Sequence, residues 1–210
     1  MINFIKRLRS ELWISVNIDN IVTSYKFKEL LSFNLGLNDN HWCKTRNNNY
    51  LLNLDDIFLE QKVQIFLDYI NRFIWLSLNN HIKNYFDDNI LDYCVATDFN
   101  FNFDDGTRTS VGEAEFSLKY RRSKINDQEA KYYGNLLVNR IKDCYDILPI
   151  NKKKVCFTTI PFNFNENEND KLSYNLVQKI SSILYNYNVF FLKCDKPSFK
   201  DKTLGAVLDN

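Results

Sequence analysis

The sequence reads Val155-Cys156-Phe157-Thr158-Thr159-Ile160-Pro161 at the point that decides its fold. The run is short and apolar and shows no alternation of polar and apolar residues, which is typical of a strand that is covered on both faces. Residues 189–192 form a second run of this kind, and the amphipathic residues 172–187 between them have helical spacing. A helix that joins two short buried strands predicts parallel pairing and an α/β sheet.

The remaining elements follow from spacing, turn residues and the charges at helix ends. We predict helices over residues 4–12, 55–85, 110–120 and 127–145, a polar loop over residues 38–49, and a strand over residues 91–103. The N-terminal part of the chain is thus predicted to be mainly helical, and the C-terminal part to alternate helices and strands.

Composition narrows the class of protein without naming a function. The chain has 210 residues, of which 45% are hydrophobic, and Lys+Arg 27 against Asp+Glu 26 gives a net charge of +1. Such a chain is globular, and it carries no electrostatic field that would gather nucleic acid or an anionic membrane. The most apolar stretch, residues 57–78, contains four charged residues and is not expected to span a bilayer. With no secretory signal at the N-terminus, we expect a cytoplasmic protein.

The cysteines and histidines do not indicate a metal site. None of the five cysteines lies within four residues of another, so no pair has the spacing of a zinc site. Their hydrophobic surroundings predict buried free thiols in a reducing compartment. His41 and His81 are the two histidines, and both are predicted to have structural or surface roles.

Four short motifs in the C-terminal half form a recognisable pattern: Asp98-Phe99-Asn100, Thr107-Arg108-Thr109, Gly112-Glu113 and Lys119-Tyr120. The pattern resembles the entry segment of ComF-like phosphoribosyltransferase-related proteins, and the resemblance covers about residues 91–210. In that family a Gly-Glu helix and a Lys-Tyr pair lead to a second helix and then to a strand that ends in proline. The resemblance implies a partial phosphoribosyltransferase-like parallel sheet in this chain. It divides the chain into a mainly helical N-terminal extension, residues 1–90, and a phosphoribosyltransferase-like α/β domain with an incomplete core, residues 91–210.

The resemblance also points to a missing part. Enzymes of this fold hold phosphoribosyl pyrophosphate with two acidic residues and a loop rich in Thr and Gly, whose amides cradle the 5′-phosphate. In the family this loop would follow Asn210, where the present sequence stops. One internal stretch, residues 103–109, imitates it with Asp104-Asp105-Gly106-Thr107. The preceding residues alternate between Phe and Asn, so we predict a polar hairpin turn, with a ribose-phosphate loop as the alternative.

The candidate ligand- or phosphate-binding residues lie in three places. A basic cluster at the end of a predicted helix consists of Lys119, Arg121, Arg122 and Lys124. The candidate binding residues there are Lys119, Tyr120, Arg121 and Arg122, and the resemblance sets the Lys-Tyr pair near the active edge of the sheet. The alternative is a solvated helix end, where cations suit the helix dipole. Thr158 and Thr159 end the first buried strand, the position of ligand sites in α/β sheets, and Lys171 begins the next helix. No catalytic residue and no metal ligand can be named, and Mg²⁺ is expected only if phosphoribosyl pyrophosphate binds.

The function expected from these residues is that of a non-catalytic interaction or ligand-sensing subunit, with a protein partner or a homo-oligomer. The resemblance suggests a setting in bacterial competence, antiviral defence or mobile-element systems. One alternative is an active phosphoribosyltransferase completed by a further C-terminal segment or a partner. Another is a nucleic-acid-binding module that uses the basic cluster and neighbouring tyrosines, although the net charge of +1 gives it no support.

Overall fold

The structure is a computed structural model that describes residues 2–8, 11–16, 24–44, 50–53, 57–75, 93–159, 162–163, 167, 171–186, 188–191 and 193–194. The chain divides into two compact units, Met1–Ile150 and Asn151–Asn210. The predicted domain boundary between residues 90 and 91 lies outside the described residues. No described helix is both long and apolar enough to cross a lipid bilayer.

The first unit begins with an antiparallel sheet. Strands β1 (Ile2–Leu8), β2 (Glu11–Val16), β3 (Trp42–Lys44) and β4 (Tyr50–Asn53) pair in the order β1-β2-β4-β3. The predicted helix over residues 4–12 is therefore wrong, and so is a mainly helical character for residues 2–16. Short apolar segments fit helical and extended periods equally well, and here pairing with a neighbouring strand supplies the backbone hydrogen bonds.

Two helices cover this part of the unit and supply most of its core. Helix α1 spans Ser24–Leu35 and helix α2 spans Ile57–Ile70. Their buried residues join residues from later elements in one hydrophobic cluster: Phe27, Leu30, Leu31, Leu52, Val63, Leu67, Ile70, Phe73, Trp75, Cys144 and Ile147. The Asn34 side-chain amide, on α1, donates 2.8 Å hydrogen bonds to the carbonyls of Leu30 and Ile147. This amide ties α1 to the end of the last helix in the unit.

Helix α2 ends much earlier than predicted. The helical spacing of apolar residues continues to residue 78, but the described helix stops at Ile70 and a short strand β5 follows at Ile74–Trp75. The Ile70 carbonyl accepts hydrogen bonds from the Phe73 amide at 3.1 Å and from the Trp75 indole at 2.9 Å. These bonds replace the next helical turn, so the predicted helix over residues 55–85 is wrong for residues 71–75. Residues 76–92 lie outside the described residues.

The rest of the first unit follows the predicted helices closely. A short strand β6 (Val95–Ala96) pairs antiparallel with β5. Helix α3 spans Ser110–Tyr120, as predicted, and helix α4 spans Asp127–Ile147, two residues longer than predicted. A reciprocal pair of hydrogen bonds between Asn126 and Glu129 caps α4 at its start, which explains why the sequence marks this boundary well. The predicted strand over residues 91–103 is described only as β6 and one bridge at Phe101.

The second unit contains a small parallel pairing around one helix. A parallel bridge joins Phe157 to Val189, strands β7 (Phe162–Asn163) and β8 (Lys193–Cys194) pair in parallel, and helix α5 (Leu172–Ile183) lies between them in sequence. Strands near the predicted positions therefore do pair in parallel, although they are shorter and broken. Within the described residues this parallel sheet has two strands. The mixture of helices and strands in the chain agrees with an α/β class.

The cysteines and His41 show how far the local predictions held. The Cys144 thiol is buried in the core, and burial raises its pKa to about 11. Cys43 and Cys156 are exposed, so the prediction of buried thiols is wrong for them; Cys43 lies in β3, at the edge of the sheet. His41 has the structural role that was predicted, since its Nδ1 lies 2.8 Å from the Asn38 side-chain oxygen in a short helical turn. His81 lies outside the described residues.

The packing of α2 is tested by two isoleucines of the same helix. Ile70 is fully buried in the core cluster, whereas Ile65 is 69% exposed. Because Ile70→Ala leaves a cavity, we expect it to lower the free energy of unfolding by about 2–5 kcal/mol. The matched control Ile65→Ala should change it by less than about 0.5 kcal/mol. Chemical denaturation measures both, and equal effects of the two variants would contradict the described packing.

Candidate functional site

The most elaborate local structure in the first unit is a tight hairpin just before α3. Phe101 and Arg108 form an antiparallel bridge at its base. The Asn102 amide donates to the Thr107 carbonyl at 2.8 Å, and the Gly106 amide donates to the Asn102 carbonyl at 2.9 Å. Gly106 has a φ of 69°, a conformation that glycine adopts at little cost. The predicted hairpin turn is therefore confirmed.

The acidic side chain in this turn is occupied by the turn itself. The Asp105 carboxylate accepts hydrogen bonds from the Thr107 amide at 2.8 Å and from the Thr107 hydroxyl at 2.7 Å. The Thr107 hydroxyl also accepts a 2.8 Å hydrogen bond from the Asn102 side-chain amide. These hydrogen bonds, that from the Thr107 side chain foremost, hold the pKa of Asp105 below its ordinary value. The groups that would contact a ribose-phosphate are thus engaged with one another.

Helix α3 rests directly against the hairpin through two small residues. Thr109 caps the helix, because its hydroxyl accepts from the Gly112 amide at 3.0 Å and donates to the Phe99 carbonyl at 2.5 Å. A Cβ atom at Gly112 would lie 2.0 Å from the Asn100 carbonyl oxygen. Only glycine permits this approach of the helix to the hairpin backbone.

Stacked side chains join the two elements on their outer side. The Arg108 guanidinium lies 4.7 Å from the ring centroid of Phe101 and 3.8 Å from that of Phe116. The Arg121 guanidinium lies 4.8 Å from the centroid of the same Phe116 ring. Cations over aromatic faces are favourable, and the stacking orients both guanidinium groups.

One carboxylate serves both arginines. Glu113 lies 3.8 Å from Arg108 Nε and 3.7 Å from Arg121 Nη1, and it accepts a 2.9 Å hydrogen bond from the buried Ser117 hydroxyl. No sequence motif indicates that Arg121 shares this carboxylate with Arg108. We call Arg108, Glu113, Phe116 and Arg121 the arginine cluster. Two positive charges and one negative charge leave it with a net charge of +1.

Three phenylalanines of the hairpin face outward. Phe99 and Phe101 are half-exposed, and Phe103 is 81% exposed. The Phe99 and Phe103 rings meet edge to face with centroids 4.7 Å apart. We call these three residues the aromatic hairpin surface. The exposure of these three rings was not predicted, because the alternating phenylalanines were assigned only to a strand over residues 91–103. The asparagines between the phenylalanines could have indicated which side of this segment is covered. Asn102 donates hydrogen bonds to Thr107 within the hairpin, and the Asn100 carbonyl accepts one from the Thr109 amide at the junction with α3.

The hairpin is also anchored to α4. The Asp98 carboxylate accepts a 2.8 Å hydrogen bond from the Phe99 amide and lies 3.7 Å from Arg140 Nη2. The other terminal nitrogen of Arg140 is buried and has no hydrogen-bond partner among the described residues. Asp98 thus connects the start of the hairpin to the helix behind it.

The predicted basic cluster lies at the end of α3 and is paired with carboxylates of its own unit. The four candidate binding residues lie together in the last turn of the helix and just after it: Lys119, Tyr120, Arg121 and Arg122. The ion pairs are Lys119 with Glu115, Arg121 with Glu113, and Arg122 with Asp127 at 2.8 Å. Tyr120 is exposed, and its ring centroid lies 5.5 Å from that of Phe116. This pairing agrees with the interpretation as a solvated helix end.

The other three predicted residues lie in the second unit. The exposed Thr158 hydroxyl donates to the Thr159 carbonyl at 3.4 Å, whereas the Thr159 hydroxyl is buried without a hydrogen-bond partner among the described residues. Lys171 is the residue before α5, and its side chain makes no capping hydrogen bond. Thr158, Thr159 and Lys171 therefore remain predicted ligand residues of this unit.

Comparisons with protein-family models, with curated proteins and with solved structures found no match. The resemblance to phosphoribosyltransferase-related proteins accordingly rests on the sequence motifs that carry it. Within the described part of the chain, no three His, Cys, Asp or Glu residues are grouped so that they could hold a metal ion. The hairpin and α3 are the candidate site that the geometry describes best.

The close approach at Gly112 is open to a direct test. Gly112→Ala would place its methyl group against the Asn100 backbone, so we expect the free energy of unfolding to fall by about 1–3 kcal/mol or more. The control is Ser110→Ala at the exposed start of the same helix, which should be nearly neutral. Without the contact, alanine in a helix would be more stable than glycine by about 1 kcal/mol. A gain in stability on thermal or chemical denaturation would therefore show that the contact is absent.

The turn also makes a prediction about pH. The hydrogen bonds from Thr107 favour the charged form of Asp105, so its pKa in the folded protein lies below the ordinary value of 3.8. The stability that this carboxylate contributes is present above the unfolded pKa and is lost as the pH falls through the folded pKa. An NMR titration of the Thr107 amide should give a midpoint below 3.8. The midpoint should disappear in Asp105→Asn and persist in the control Asp104→Asn; a midpoint at or above 3.8 contradicts the bonding.

Proposed function

We infer that this chain is a phosphoribosyltransferase-like protein without a working phosphoribosyl pyrophosphate loop, and that it acts as a non-catalytic interaction or ligand-sensing subunit. The observation that carries the proposal is the bonding in the hairpin turn. Asp105 and Thr107, the groups that most resemble a ribose-phosphate site, are bonded to each other. A ligand would have to break these bonds before it could use either group.

The arrangement of the second unit supports the phosphoribosyltransferase-like part of the proposal. Parallel pairing of residue 157 with residue 189, and of β7 with β8, around the intervening helix α5 is a β-α-β unit. Such units build the parallel sheets of nucleotide-binding folds. A larger phosphoribosyltransferase-like sheet, with a ligand at Thr158, Thr159 and Lys171, is the finer form of this proposal.

The charges at the end of α3 support a non-catalytic role. A pyrophosphate site needs cations whose charge is available to the ligand. Lys119, Arg121 and Arg122 each have a carboxylate partner in the same unit. A pyrophosphate at this place, with its several negative charges, would compete with those carboxylates for all three cations and be repelled by them. The basic cluster is therefore better suited to stabilising the end of the helix through ion pairs than to binding a pyrophosphate.

The proposed setting is an accessory component of a bacterial competence, antiviral defence or mobile-element system. This part of the proposal rests on the family resemblance. A protein partner fits the balanced charge of the chain. A net charge of +1 gives no long-range attraction for a highly charged ligand, so association depends on local surfaces. The exposed aromatic hairpin surface is the described feature that best suits such a partner.

The proposal is tested by calorimetric titration of the full chain with phosphoribosyl pyrophosphate in the presence of Mg²⁺. We expect no saturable heat, because the residues of the imitation loop are bonded within the turn. Saturable, Mg²⁺-dependent binding would overturn the non-catalytic proposal. Thr107→Val and Lys171→Ala would then tell a site in the hairpin from a site in the second unit, since each variant should abolish only its own.

A further inference from the structure

The arginine cluster holds hydrogen-bond donors that its own residues leave unused. A guanidinium group has five N–H donors. Neither Arg108 nor Arg121 donates a hydrogen bond to another described residue, because Glu113 lies 3.8 Å and 3.7 Å away, beyond hydrogen-bond distance. Stacking on Phe116 nevertheless orients both groups, at 3.8 Å and 4.8 Å from its centroid. The donors are therefore arranged before any ligand arrives, which lowers the entropic cost of binding.

The aromatic hairpin surface adjoins these donors. Arg108 lies against the Phe101 ring, so the arginine cluster and the exposed phenylalanines form one continuous surface. Aromatic and arginine side chains are the residue types that most often dominate the binding energy of protein interfaces. A surface of this kind suits a ligand that brings an apolar side chain next to an anionic group.

We propose that the aromatic hairpin surface and the arginine cluster together form a docking site for a segment of a partner protein in which a carboxylate lies next to apolar side chains. The carboxylate lies between the two guanidinium groups and brings the charge of the cluster from +1 to zero. The apolar side chains cover Phe101 and Phe103. The proposal rests on the proposed function, since it names the site through which the interaction subunit would act.

Charge decides between a protein segment and a nucleic acid. The cluster offers a single uncompensated positive charge, which one carboxylate neutralises. A nucleic-acid strand carries a phosphate at every nucleotide, and it would pass Asp104 and Asp105 in the hairpin and Glu115 on α3. These carboxylates would repel each of its phosphates, whereas a segment with one acidic residue brings a single negative charge.

The test uses the full chain, immobilised and panned against a phage-displayed library of short random peptides. We expect enriched peptides to carry Asp or Glu beside leucine, isoleucine or an aromatic residue. One enriched peptide, labelled with a fluorophore, then serves as the probe in anisotropy titrations of the variants. Failure to enrich any peptide, or enrichment of peptides without an acidic residue, would overturn the proposal.

Two variants and one control locate the site. Phe103→Ser and Arg121→Gln should each weaken binding of the probe by about tenfold, the loss expected for an interface anchor or a charged hydrogen bond. Phe103 is 81% exposed, so the Phe103→Ser variant should fold normally. The control is Tyr132→Ser, an aromatic residue of α4 that is 62% exposed and should leave binding unchanged. An equal loss in the control would overturn the proposal.

Glu113→Gln distinguishes ligand binding from a structural role. The variant keeps an oxygen that can accept the Ser117 hydrogen bond, but removes the charge that competes with the ligand for Arg108 and Arg121. Binding of the acidic probe should therefore become several-fold tighter, consistent with the strength of charged hydrogen bonds. A role confined to holding the hairpin predicts weaker binding or no change, and either result overturns the proposal.

Two results would show that a different ligand occupies this surface and would overturn the proposed docking site. Binding of oligo-dT with a steep salt dependence, lost in Arg121→Gln, would show a nucleic-acid site instead. Concentration-dependent self-association, lost in Phe103→Ser, would show a second copy of the chain as the occupant. Calorimetry with phosphoribosyl pyrophosphate keeps the two proposals separate. Heat from that ligand overturns the non-catalytic function alone, and failure of the peptide titrations overturns the docking site alone.

Discussion

The contact between Gly112 and the backbone of Asn100 is the constraint on which the candidate site depends. Helix α3 can rest on the hairpin because no side chain intervenes, and the Thr109 hydroxyl then spans the junction from the helix amide to the Phe99 carbonyl. With the helix held at this distance, Phe116 comes under Arg108. The stacking of Arg108 on Phe116 and the carboxylate that Arg108 shares with Arg121 depend on this one approach.

Pairing of opposite charges shapes the surface around that contact. Most cations at the end of α3 have a carboxylate within their own unit, so the segment that looks basic in sequence is nearly neutral in space. Arg108 and Arg121 differ from the other cations in that they share a single carboxylate, that of Glu113. Exposed ion pairs add little to stability, so their main consequence here is to decide which charges remain for a ligand. That consideration favours a protein segment with one acidic group over a polyphosphate.

Local signals predicted some elements well and others poorly. Thr109 and Asn126 cap the first turns of helices α3 and α4 with their side chains. The starts of these helices can therefore be predicted from residues that are close together in the sequence. The end of α2 depends on a hydrogen bond from the Trp75 indole to the Ile70 carbonyl, which no spacing of apolar residues reveals. Residues 4–12, which contain most of β1 and the start of β2, were likewise mistaken for a helix, because the hydrogen bonds of these strands lie between segments.

The sequence by itself determined the hairpin turn, the capped helices α3 and α4, and the short strands on either side of α5. Each of these depends on residues close together in the chain, such as the Asp-Gly-Thr turn and the Asn126 cap. The tertiary structure decided which side chains meet. In the folded chain, Arg121 and Arg108 pair with the same carboxylate, that of Glu113, and the hairpin phenylalanines are exposed. These outcomes required the helix to pack on the hairpin, because a side chain's partners and exposure are set by the elements that cover it.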